Sequence, residues 1–104
     1  MAAAARGDMT DSVHSATGIG KDCAYPIDIV TNTGSSTVRI NGKGAIKIGD
    51  PVYPHPYYGC GPDTSTLTTG SSKVRVNGQS AARLGDYYTA DNQITSGSSN
   101  VFFA

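Results

Sequence analysis

The chain has 104 residues, room for one small domain, and eight basic residues balance eight acidic ones. The missing basic excess argues against nucleic acid or an anionic membrane as the main partner. Glu and Trp are absent and Leu occurs only at Leu67 and Leu84; Glu and Leu are among the best helix formers, so a helix bundle is excluded, and Gly, Ser, Thr, Asn and β-branched residues point to strands and tight turns.

The chain opens Ala3-Ala4-Ala5-Arg6-Gly7-Asp8, with no basic stretch followed by an apolar one, so no secretory signal is expected. No apolar run approaches the roughly 18 residues of a membrane helix. Residues 9–33 form a first long connection and end in a strand-like run, Ile27-Asp28-Ile29-Val30.

Residues 34–50 read GSSTVRINGKGAIKIGD. Residues 70–86 read GSSKVRVNGQSAARLGD and align with them without a gap. In each, a run of alternating residues leads to Asn-Gly (Asn41-Gly42 and Asn77-Gly78) and a second strand follows, through Ala45–Ile48 or Ala81–Leu84. Asn-Gly between two strands predicts a hairpin, because a type I′ turn needs positive φ at both central residues. Val38, Ile40, Val74, Val76, Val101 and Phe103 share one parity and should face the core; Arg39 and Arg75 should face away.

The connections at 51–69 and 87–96 also end in strand-like runs, Ser65–Thr68 and Gln93–Thr95. The chain closes Gly97-Ser98-Ser99-Asn100-Val101-Phe102-Phe103-Ala104, which matches the first half of the repeat, while residues 3–8 match the second half. This predicts one all-β domain over residues 1–104, with units 34–50, 70–86 and a split unit, 97–104 plus 3–8. The implied object is closed and pseudo-threefold, with adjacent termini and apolar residues stacked along the axis. Aligning on Gly7-Asp8 sets Ala5, not Arg6, opposite Arg83.

His14 and Cys23 fall in the first long connection, His55 and Cys60 in the second. Two His and two Cys make a complete tetrahedral set for structural zinc, with iron a second candidate because imidazole also suits it. Other readings stand beside this one. Cys23 and Cys60 could pair as a disulfide or be separate buried thiols, and the histidines could be surface residues. Asp91 is a possible accessory ligand. No nucleophile elbow, zinc-protease motif or phosphate loop occurs, and four protein ligands leave zinc no open position for water, so no enzyme is expected.

The units ending Gln79-Ser80-Ala81-Ala82-Arg83-Leu84-Gly85-Asp86 and Lys43-Gly44-Ala45-Ile46-Lys47-Ile48-Gly49-Asp50, each after Gly-Ser-Ser-x-Val-x-Ile/Val-Asn-Gly, resemble PAAR-repeat proteins. Ser80 and Gly44 stand where that family's name motif has Pro. The resemblance covers nearly the whole chain. It implies a conical, metal-stapled tip that caps and sharpens the trimeric β-helical spike of a contractile injection machine, such as a phage tail or type VI secretion system. It further implies zinc held by His14, Cys23, His55 and Cys60. The partner would be a trimeric spike protein, one chain per trimer, and the tip would cross a target envelope transiently, without nucleic acid or stable membrane insertion. The expected location is a virion or phage-like particle, or outside the cell after passage through such a machine. The alternative from another class is a small β-rich module that binds envelope glycans through Tyr-rich loops.

Overall fold

Asn-Gly is the most specific local instruction in the chain, and it is obeyed twice. In the computed structural model, Asn41 and Gly42 have φ of 54° and 81°, and Asn77 and Gly78 have 50° and 86°. The structure describes residues 1–15, 27–53, 56–57, 61–62, 65–89 and 92–104. In chain order its strands are β1 (Ala2–Ala3), β2 (Ser12–Ser15), β3 (Ile27–Val30), β4 (Arg39–Ile40), β5 (Lys43–Gly44) and β6 (Pro56–Tyr57). They continue with β7 (Gly61–Pro62), β8 (Arg75–Val76), β9 (Gln79–Ser80), β10 (Tyr87–Tyr88), β11 (Asn92–Ile94) and β12 (Phe102–Phe103). No helix occurs among the described residues, and the protein is a small all-β domain.

The two Asn-Gly turns join β4 to β5 and β8 to β9, pairing Ile40 with Lys43 and Val76 with Gln79. The first and last strands pair in the same sense, Ala2 with Phe103 and Ala3 with Phe102. Ala104 and Met1 thus occupy the two places that Asn41-Gly42 fill between Ile40 and Lys43.

The second strand of each unit does not stay with its own hairpin. The Ala45 N–H still donates to the Val38 carbonyl, at 2.9 Å, and the Ala81 and Ala4 N–H groups do the same to Val74 and Val101. Beyond that residue each segment turns to a neighbour. Ala4 bridges to Arg83, Ala81 to Lys47 and Ala45 to Arg6, so the three contacts close a cycle. Leu84, Ile48 and Gly7 then donate to the Ala3, Ser80 and Gly44 carbonyls at 2.7–2.9 Å. The expected hairpin strand over Ala45–Ile48 is therefore inter-unit pairing, which alternation along one segment does not disclose.

Each Gly-Ser-Ser works by its glycine and its first serine. The Ser35, Ser71 and Ser98 N–H groups donate to the Ala45, Ala81 and Ala4 carbonyls, all at 2.8 Å. Their hydroxyls each accept two backbone N–H groups from the next residues, such as Thr37 and Val38 for Ser35. Each hydroxyl also donates across to another unit: Ser35 to Asn77, Ser98 to Asn41, and Ser71 to the Ala104 carbonyl. A Cβ on Gly34 would strike the Gly44 backbone, and one on Gly44 would come 2.5 Å from the Ser35 carbonyl. Glycine is needed there for close backbone approach rather than for φ.

The core has two parts. One holds Ala4, Ala45 and Ala81 with Ile40 and Val76, against partly buried Val38, Val74, Val101 and Phe103. Arg39 and Arg75 are exposed. The other holds Ala5, Ile46 and Ala82 with Val13, Val52, Tyr88, Leu67 and Ile94. Over this second part the connections pair in turn: Thr31 with Val52, Leu67 with Tyr88, and Ile94 with Val13. Thr31 replaces an apolar residue at that level. It is fully buried, and its hydroxyl is satisfied by the Arg6 carbonyl at 2.7 Å.

Candidate functional site

The connection strands assemble the sheet that carries the first candidate ligand. Strands β10, β11, β2 and β3 lie side by side, all antiparallel. Side chains alternate along β2, so Val13 and Ser15 are buried and His14 stands on the opposite face. Across that face His14 is flanked in register by Gln93 on β11 and Asp28 on β3. Its Nδ1 lies 2.7 Å from Asp28 Oδ1, and the two side chains are 42% and 79% exposed. Cys23, His55, Cys60 and Asp91 lie outside the described residues. Among the described residues no three His, Cys or Asp side chains cluster as metal ligands.

The inward face of the same sheet carries a polar row that the sequence did not advertise. Tyr88, Asn92 and Ser15 are in register and buried. The Tyr88 and Ser15 hydroxyls have no hydrogen-bond partner among the described residues. Burial, with a smaller contribution from the Asp50 carboxylate, pushes the Tyr88 phenol well above its ordinary pKa, so it stays protonated.

Three acid–base pairs mark the ends of the repeat segments. The carboxylates of Asp50 and Asp86 accept the backbone N–H of Lys47 and Arg83 at 3.0 and 2.7 Å, and also bind those side chains. In the third place Asp11, not Asp8, accepts the Arg6 N–H, at 2.5 Å, and takes the guanidinium at 2.9 Å. Arg6 therefore stands level with Arg83, and the expected alignment on Gly7-Asp8 is displaced. Two extra residues separate the basic residue from its acid there. Their turn places Asp8 and Met9 at φ of 55° and 61°, a conformation costly for a side chain as large as Met. Donating to the carboxylates of Asp11 and Asp86 raises the pKa of Arg6 and Arg83.

Freed from that pairing, Asp8 has another task. Its two carboxylate oxygens accept the N–H groups of Gly44 and Gly34 at 2.8 and 3.0 Å. Those bonds, with smaller help from Arg39 and Lys43, hold its pKa below the ordinary carboxylate range. The arrangement makes a framework of caps and ion pairs around backbone contacts.

No family model matches this chain, and no curated protein matches it.

Proposed function

We propose that this protein is a structural, membrane-piercing tip that caps the trimeric central spike of a contractile injection machine. The observation that carries the reading is the cycle of bridges Ala4–Arg83, Ala81–Lys47 and Ala45–Arg6. Each unit gives one contact and receives one, as three subunits of a ring do. On this reading the chain is a pseudo-threefold, tapering body opened inside its third unit, where β1 meets β12. One chain of this kind matches the symmetry of three identical spike chains at its base and still ends in a single point. Its base would carry the hairpin ends at Asn41-Gly42, Asn77-Gly78 and the chain termini, and would cover the β edges of a spike. The length of 39 Å against widths of 24 and 21 Å suits such a part.

The donor set of two imidazoles and two thiols fits zinc, and the Asp28–His14 contact fits a ligating imidazole whose second nitrogen is held by a carboxylate. His14, Cys23, His55 and Cys60 would hold the ion. Bound zinc would supply no reaction, only cross-linking of the two long connections, so that metal affinity becomes folding stability. Because His14 projects from the face opposite Val13 and Ser15, the ion would sit on the outer side of the four-stranded sheet.

Native mass spectrometry with a purified trimeric spike protein tests the cap. One chain per trimer is expected. Three chains per trimer, or none, overturns the reading. Glycan binding without spike binding would favour the surface-recognition alternative.

A further inference from the structure

The Asp28 side chain is 79% exposed, and among the described residues its side-chain partner is His14 Nδ1 at 2.7 Å. An exposed pair of this kind contributes little to stability. Its geometry, however, is directional. An imidazole has two nitrogens, and a carboxylate at one of them fixes which carries the proton. A carboxylate can only accept, so a neutral ring bonded through Nδ1 to Asp28 carries its proton there and keeps its Nε2 lone pair free.

We infer that Asp28 is a positioning residue for metal binding, holding His14 in the tautomer and ring orientation that present Nε2 as the ligating atom. This rests on the reading above that His14 is a zinc ligand. The register supports it independently of that reading. Asp28 is the direct cross-strand partner of His14 on β3, so the backbone sets the two side chains side by side on one face. Gln93, the cross-strand neighbour on the other side, is engaged elsewhere, since its amide donates to the Gly85 carbonyl at 3.2 Å. Asp28 is therefore the carboxylate the sheet delivers to the ring.

The test compares wild type, Asp28→Ala, Asp28→Asn and His14→Ala. Zinc affinity is read by chelator competition, the ligand set by the cobalt(II) absorption spectrum, and the His14 tautomer by 15N NMR of metal-free protein. The inference expects wild-type His14 to be protonated at Nδ1. It expects Asp28→Ala to weaken zinc about ten- to hundredfold with an unchanged cobalt spectrum. Asp28→Asn, whose amide oxygen still accepts the bond, should recover much of the loss. The melting temperature of the metal-free protein should not move, which separates positioning from fold support. Wild-type zinc binding with an indifferent Asp28→Ala, or a wild-type ring protonated at Nε2, overturns the inference alone. A wild-type chain that takes up no zinc overturns the metal reading and this inference together.

Discussion

The repeat segments, joined by a cycle of bridges, and the connections between them obey different rules. In the repeat segments, matching places carry nearly equivalent residues: Ala4, Ala45 and Ala81 are all fully buried, and Ser35, Ser71 and Ser98 make the same two caps. In the connections, equivalent places carry Thr31, Leu67 and Ile94, or Val13, Val52 and Tyr88. The difference follows from what is in contact. At Gly34 and Gly44 the repeat segments bring backbone against backbone, where an added Cβ has no room. The connections also pair through their backbones, but the side chains at those paired places pack against one another in the core, where a change in one residue can be absorbed by its neighbours.

If that contrast is right, the largest loss of stability should come from the smallest added group. Gly44→Ala puts a methyl 2.5 Å from the Ser35 carbonyl, with its three nearest neighbours all backbone atoms. It should cost about 3 kcal/mol or more, read by denaturant unfolding. A cost near that of an ordinary surface substitution would break the comparison.

Asp11→Ala should follow closely. It strips a carboxylate whose side chain is 1% exposed from the Arg6 N–H and guanidinium and from the Ser96 hydroxyl. A loss of about 3 kcal/mol is expected, since a cap and an ion pair go together.

Ser35→Ala should cost less, about 1–2 kcal/mol, for the cap it gives Thr37 and Val38 and the bond it makes to Asn77. Ser71→Ala and Ser98→Ala should match it, which sharpens the claim that the three places are equivalent. Unequal melting shifts among the three serines would blunt it.

Asp8 gives the smallest effect, and one that depends on pH. Its folded-state pKa is lowered, so its contribution is present above the unfolded carboxylate value of about 3.9 and fades as pH falls through the folded value. The difference in melting temperature between wild type and Asp8→Asn should therefore be largest near neutrality and close below about pH 4. A difference that widens on acidification would contradict the role given to its two N–H bonds.

This contrast also explains what could be read from the residues. The two Asn-Gly turns, the exposed Arg39 and Arg75 and the buried Ile40 and Val76 follow from local chemistry and period. The destination of Ala45–Ile48 was not legible, because one strand's alternation does not name its partner. The displacement from Asp8 to Asp11 was hidden for a similar reason: Gly7-Asp8 copies the letters of Gly49-Asp50, while hydrogen bonding, not spelling, decides which acid closes the unit. The buried row of Ser15, Asn92 and Tyr88 appears only once β10, β11 and β2 are in register. Of the candidate ligands, His14 could be named from composition, but its carboxylate partner could not, since Asp28 is brought to it only by the pairing of β2 with β3.

The central claim, that three equivalent units close one ring, is tested most directly by moving the opening. Ala104 and Met1 stand where Asn41-Gly42 stand in a hairpin. A permuted chain can therefore join residue 104 to residue 1 as a direct Asn-Gly link, through Ala104→Asn and Met1→Gly, and open between Asn77 and Gly78 instead. The account predicts cooperative unfolding within about 1 kcal/mol of the parent, because one turn is gained where an equivalent one is lost. A permuted chain that fails to fold cooperatively, while the same Asn and Gly substitutions are tolerated in the unpermuted one, would contradict it.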